Sequence, residues 1–164
     1  MVKDEIKIRK ATEQDYNAVD SLYCETYSLY HANIPESYNK TPKRTLPKGT
    51  FLNMVEDKDT LVIVAEKNKD VVGMLYATIE KDEGDEWAKG YHRVSIEELS
   101  VSEKFRRQGV GKILMQQAEN WAKEKGIIDL TVLVYSFNEN AIGFYEKNGY
   151  QPYSVKLNKK ISKK

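Results

Sequence analysis

Apolar and polar positions change their period along this chain, and each change marks an element. Ile6 and Ile8 alternate with Lys7 and Arg9, the period of a strand. Thr12 offers an N-cap, with Asp15 three residues on as a weaker capping box. Tyr16, Val19, Leu22, Tyr23, Tyr27 and Tyr30 then recur at helical spacing, which predicts a helix to about His31. Ala32 to Gly49 contains Pro35, Pro42 and Pro47 and predicts a loop with broken helical turns. Phe51, Leu52 and Val55 predict a short helix. Leu61 to Glu66 and Val71 to Ile79 predict strands, joined as a hairpin by Asn68-Lys69-Asp70. Lys81 to Gly90 is charged and holds two glycines, and so predicts a surface loop. Arg93 to Val101 predicts a strand. Val110, Ile113, Leu114, Gln117, Ala118, Trp121 and Ala122 share a helix face, with Gly126 as its C′ residue. Leu130 to Val134 predicts a strand, Asn140 to Lys147 a helix stopped near Gly149, and Tyr150 to Leu157 a last strand or hairpin. The order is mixed α and β, with a strand–helix–strand unit in the second half.

The strand Arg93 to Val101 slips phase. Val94 and Ile96 are apolar on one parity, Leu99 and Val101 on the other, and Glu97 and Glu98 stand at the switch. A one-residue slip is the signature of a β-bulge, which leaves a backbone group unpaired. A bulge is expected at Glu97-Glu98, with an N–H beyond it free for a ligand carbonyl.

Composition narrows the classes. At 164 residues the chain reads as one domain, 1–164, long enough to bury a core. Lys plus Arg is 26 and Asp plus Glu is 25, so a formal net charge of +1 gives no electrostatic case for nucleic acid or a membrane surface. The tail from Lys156, with Lys159, Lys160, Lys163 and Lys164, is basic and expected to be solvated. Cys24 is the single cysteine, which excludes an intramolecular disulfide and fits a reducing compartment. No apolar run approaches a membrane helix or a signal peptide, so a cytoplasmic location is expected.

Chemistry concentrates at Arg106-Arg107-Gln108-Gly109-Val110-Gly111-Lys112, between a strand and a helix. Glycine lets backbone approach a ligand, and a helix start offers N–H donors and a dipole that suit phosphate. Arg106, Arg107 and Lys112 add positive charge. A P-loop is excluded, because Ile113 replaces the Ser or Thr and Arg106 replaces the first glycine. A dinucleotide fingerprint fails too, because Leu114 stands at the third glycine. The remaining Arg-x-x-Gly-x-Gly resembles the pyrophosphate loop of the GCN5-related N-acetyltransferases (GNAT), which bind acetyl-CoA. Asn138 to Tyr150 is similar to that family's Asn-x-x-Ala-x-x-x-Tyr-x-x-x-Gly-aromatic segment through Asn138, Ala141, Tyr145, Gly149 and Tyr150. The close likeness runs from about Val94 to Tyr153; the first half matches only in its order of elements.

The resemblance implies an α/β (mixed α+β) fold: a central mixed, largely antiparallel twisted sheet with a splayed strand pair and flanking helices. It implies acetyl-CoA as co-substrate and no metal. Carried over by position, Gln108, Gly109, Val110, Gly111 and Lys112 join Arg106 and Arg107 in holding the diphosphate. Leu99 and Val101 would offer backbone contacts to the acetyl and pantetheine groups, and Asn138 would bind the pantetheine amides. Asn140 is expected only as a helix N-cap. Tyr145 would serve as the acid for the leaving thiolate. Proton removal from the amine needs a base. Glu97 is favoured by its parity with Leu99 and Val101, Glu98 is the second candidate, and His31 is a rival. Tyr27, Tyr30 and His31 are expected on the acceptor side, where aromatics suit a cationic amine. The acceptor is expected to be a small amine. A protein or peptide amine, and a non-catalytic acyl-CoA-binding module, are the alternatives. Pairing into homodimers is also implied by the resemblance.

Overall fold

The computed structural model describes residues 5–40 and 45–161. Pro42, and Lys163 and Lys164 of the basic tail, lie outside the described residues. The chain divides into two compact units, Met1–Leu133 and Val134–Lys164.

The first unit holds strands β1 (Lys7–Lys10), β2 (Thr60–Lys67), β3 (Asp70–Gly84), β4 (Lys89–Val101) and β5 (Leu130–Val132). They form one sheet in the order β1-β2-β3-β4-β5. Neighbours from β1 to β4 run antiparallel, and β5 lies parallel to β4. Helices α1 (Tyr16–Asn33), α2 (Lys48–Glu56) and α3 (Val110–Glu124) belong to the same unit.

The apolar stripe predicted for α1 is its buried face: Tyr16, Val19, Leu22 and Tyr23 pack in a core with Phe51 and Met54 of α2 and with Val62, Val64 and Met74 of the sheet. Side chains alternate across a strand, so Gly73, next to Met74, faces the other side. There an added Cβ would stand 3.2 Å from Val110 and 3.4 Å from Leu114, which places α3 on the opposite face. The capping turn before α1 forms as expected, and Asp15 Oδ2 accepts the Thr12 N–H at 2.8 Å. The Asp15 carboxylate also accepts two hydrogen bonds from the Arg9 guanidinium, at 2.7 and 2.8 Å. That guanidinium holds the carboxyl below its ordinary range and ties the edge strand to the helix start.

Two expectations are corrected. Lys81 to Gly90 is mostly not a loop: β3 and β4 continue as a two-stranded ribbon, paired out to Gly84↔Lys89. A ribbon solvated on both faces needs no apolar alternation. Gly90 is required there, because a Cβ would stand 2.4 Å from the Asp82 carbonyl oxygen. In the second unit, helix α4 (Glu139–Lys147) forms as predicted. Tyr150 to Leu157 forms no strand, and no ladder among the described residues takes it up.

Candidate active site

The expected bulge is present. Tyr76 pairs with Glu98 while Ala77 pairs with Ile96, so Glu97 is the extra residue on β4. Its consequence is a change of face. Ile96 pairs with Ala77 and lies on the α3 side, whereas Glu98 pairs with Tyr76 and Ser100 with Met74, on the α1 side. The bulge therefore sends Glu98 inward under α1. The bulge removes the parity argument that favoured Glu97 through Leu99 and Val101, because Glu97 and Glu98 now share a face: Glu97 is exposed, and Glu98 is buried at 9% exposure.

Glu98 meets α1 through Thr26, whose hydroxyl donates to Oε1 at 2.8 Å. The Ser100 hydroxyl donates to the Leu22 carbonyl at 3.3 Å, holding the same strand against the helix. Burial pushes the Glu98 carboxyl up to about 7, with the Thr26 hydrogen bond a smaller opposing effect. Tyr23 is buried beside it, and its hydroxyl is pushed up by burial and then by the Glu98 charge. Glu97 turns toward the same face, where its Oε1 accepts the Thr78 hydroxyl at 3.1 Å. Tyr76 lies between, raised by burial and then by Glu97 and Asp57.

The backbone beside Glu98 is open on one edge. Val94 N–H donates to Asp129 O at 2.9 Å, toward β5. Ser102 N–H donates to Val72 O at 2.9 Å, toward β3. Backbone groups alternate along a strand, so Leu99 and Val101 direct their N–H groups away from β3. The β4–β5 ladder ends at Ile96↔Val132, so among the described residues these two have no ladder partners on that edge. This is the splayed pair. The Val101 carbonyl accepts Arg106 Nε at 2.8 Å, and Arg106 also pairs with Glu25 at 3.1 Å. The Arg106 side chain thus braces the loop.

The loop itself turns sharply into α3. Arg107 (φ 63) and Gly109 (φ 85) both take the left-handed region. Gly109 caps α3, and the first intrahelical bond is Ile113 N–H to Gly109 O at 3.1 Å. The N–H groups of Val110, Gly111 and Lys112 precede that bond and lack intrahelical acceptors, beside the positive end of the helix dipole. Arg107 and Lys112 supply cations. These donors suit a diphosphate. Gln108 is turned back, its Nε2 donating to the Lys104 carbonyl at 2.9 Å.

On the outer part of α1 the tyrosines form a contiguous row. Tyr27 stands 6.4 Å from Tyr23, 5.9 Å from Tyr30 and 5.7 Å from Tyr38 between ring centroids. His31 Nδ1 lies 2.8 Å from the Tyr38 carbonyl, which can only accept, so this nitrogen carries a proton and the ring anchors the loop. Thr26, Tyr76 and Asp57 were not singled out from sequence. Thr26 did carry a signal, as a hydroxyl residue three positions after Tyr23 on an otherwise aromatic face.

In the second unit, the Asn138 side chain caps α4 by accepting the Ala141 N–H at 3.2 Å. Asn138, rather than Asn140, is the N-cap. Tyr145 is buried, with its ring against Tyr150 at 5.4 Å and Phe144 at 5.2 Å.

A family model described as the acetyltransferase (GNAT) family matches residues 17–150. The chain belongs to the GNAT family. Acetyl-CoA is that family's co-substrate. Among its relatives, L-ornithine N5-acetyltransferase NATA1 of Arabidopsis thaliana is 32% identical over 98 residues, covering 59% of this chain and 42% of that one. The chain therefore spans less than half of that relative. Spermidine N(1)-acetyltransferase of Thermoplasma acidophilum is 23% identical, with 89% and 88% covered. The solved BH1408 protein of Bacillus halodurans superposes with a TM-score of 0.91 at 20% identity, covering 95% of this chain and 99% of that one. The aminoglycoside 6′-N-acetyltransferase AAC(6′)-Ih of Acinetobacter baumannii superposes at 0.71 with 16% identity, covering 96% and 100%. These two likenesses establish the fold of the family. No described helix is long and apolar enough to cross a membrane.

Proposed function

We propose that this GNAT chain is an N-acetyltransferase that moves an acetyl group from acetyl-CoA directly to the primary amine of a small molecule. One observation carries the reading. Glu98 is a buried carboxylate with no cation beside it among the described residues, raised to about 7 and set next to the backbone edge at Leu99 and Val101. An alkylammonium must lose a proton before its nitrogen can attack, and a base that titrates near neutral pH removes it most effectively. Glu98 is that base, directly or through one water. Glu97, exposed and without that burial, is the second candidate.

Acetyl-CoA supplies the activated acyl group. The N–H groups of Val110, Gly111 and Lys112, with Arg107, would hold its diphosphate, and the Leu99 and Val101 N–H groups would orient the acyl carbonyl and pantetheine arm. An N–C bond forms as the C–S bond breaks. Glu98 takes the ammonium proton before attack; Tyr145, matched by motif, would give a proton to the leaving sulfur, and the second proton that the nitrogen loses as the amide forms returns to Tyr145 through solvent. We take residues 1–164 as one acetyltransferase domain, since the family match crosses both units. Cysteine usage suits a cytoplasmic setting.

Thiol release from acetyl-CoA, measured against small amines and N-terminal peptides, tests the proposal. Amine-dependent release that collapses in Glu98→Gln while CoA still binds supports it. CoA binding without release for any amine contradicts it and favours a binding module.

A further inference from the structure

Two buried tyrosines of α1 differ in what their hydroxyls do. Tyr16 and Tyr23 lie about two turns apart, and their rings pack in the same apolar core. The Tyr16 hydroxyl donates to the Leu46 carbonyl at 2.8 Å, a bond that fastens the chain just before α2 to the helix. The Tyr23 hydroxyl takes no hydrogen bond among the described residues, although only 9% of the residue is exposed. A phenylalanine would fill the same apolar space, so packing does not account for the oxygen. A buried hydroxyl is costly to leave unpaired, and one that the fold does not satisfy takes its partner from solvent or a ligand. The Tyr23 oxygen is not among the unpartnered side-chain atoms sealed from solvent.

Its surroundings are those of the reaction. Tyr23 stands one turn before Thr26 on α1, and the Thr26 hydroxyl donates to Glu98 Oε1 at 2.8 Å. The carbonyl of Leu22, its neighbour in the chain, accepts the Ser100 hydroxyl at 3.3 Å, so this turn of α1 is clasped to β4 beside Glu98. After burial itself, the groups that bear on the Tyr23 hydroxyl are Glu98, Tyr76, Tyr27 and Glu97, all on the active-site face. Burial and the nearby negative charge keep the phenol protonated. It is therefore no base, and its chemistry is to exchange hydrogen bonds.

An attacking amine needs more than the loss of a proton. Its lone pair must point at the thioester carbon, and a nitrogen held by a single contact is free to turn about it. Glu98 supplies one contact.

Resting on the amine-transfer reading, we propose that Tyr23 is a second catalytic contact to the reacting nitrogen: its hydroxyl oxygen accepts one N–H of the acceptor amine while Glu98 takes the ammonium proton, and the two together aim the lone pair at the thioester carbon. Tyr23 keeps its own proton throughout, so the proton balance of the transfer is unchanged.

Tyr23→Phe removes one oxygen and keeps the ring, so it tests the contact with the fold intact. In amine-dependent thiol release from acetyl-CoA, kcat should fall about ten-fold or more, with CoA affinity and Tm near the wild type. The acidic limb of the pH profile should stay in place, because Glu98 remains the group that titrates. In the Glu98→Gln background the same change should cost several-fold less, since two contacts to one nitrogen act as a unit. Tyr16→Phe, which deletes a hydroxyl from the same core, should do the reverse, lowering Tm and leaving kcat near the wild type. A wild-type kcat in Tyr23→Phe overturns the proposal and leaves the amine-transfer reading standing. A loss of kcat that comes with a Tm lowered as in Tyr16→Phe, or that multiplies in full with the Glu98→Gln loss, also overturns it, because Tyr23 would then act through the fold. Failure of every amine to release thiol from the wild type removes the amine-transfer reading itself, and this proposal with it.

Discussion

Thr26 on α1 donates its hydroxyl to Oε1 of Glu98 on β4 at 2.8 Å, and this hydrogen bond joins the first helix to the bulged strand. It stabilises the charged form of a carboxylate that burial drives toward neutrality. The balance between the two leaves Glu98 titrating near 7, within reach of both proton states at physiological pH.

Removing the hydroxyl should tip that balance. Thr26→Val deletes the donor and keeps the volume, so the Glu98 pKa should rise further. The acidic limb of the kcat/KM profile should then move to higher pH. A profile unchanged from the wild type would show that the titrating group is not Glu98.

Stability should carry the same signature. The folded-state pKa of Glu98 lies above its ordinary value of 4.5, so between about 4.5 and 7 the folded protein binds more protons than the unfolded chain. Stability from this group is therefore lost as pH rises through that window. The full cost above about pH 7 is on the order of 3 kcal/mol. Glu98→Gln carries no such charge. Chemical denaturation should show it gaining stability on the wild type between about pH 5 and pH 8. Parallel curves would contradict the burial argument.

Gly109 should tolerate no side chain, for a conformational reason. An added Cβ would meet nothing within 4 Å, but the residue caps α3 at φ 85. An L-residue pays about 1 kcal/mol there. Gly109→Val should shift the cap and weaken CoA binding several-fold by titration calorimetry, with a modest fall in Tm. Unchanged affinity would remove the cradle from the account.

Tyr145→Phe should lower kcat about ten-fold or more and leave CoA affinity nearly intact, since it deletes one hydroxyl and keeps the ring packing on Tyr150 and Phe144. Equal losses in affinity and kcat would assign Tyr145 to binding instead.

The parity slip between Ile96 and Leu99 made the bulge legible in the sequence. Which glutamate turns inward was not, because a bulge puts both Glu97 and Glu98 on one face and only packing under α1 separates them. The turn into α3 was legible because Gly109 and the apolar spacing of α3 are local signals. The side-chain partners of Arg106, Val101 O and Glu25, were not legible, because tertiary contact sets them. The ribbon at Lys81 to Gly90 escaped notice because its pairing needs no buried face. Periodicity, which reports burial, located Val110, Leu114, Ala118 and Ala122 on the buried face of α3, whereas Ile113 and Gln117, grouped with them by spacing, are exposed.

The most direct measurement is the pH dependence of kcat/KM for amine-dependent thiol release from acetyl-CoA, in the wild type and in Glu98→Gln. The account predicts wild-type activity rising with an apparent pKa near 7, and in the variant a loss of about a hundred-fold or more with that limb abolished. A variant that keeps both its rate and the limb would contradict it.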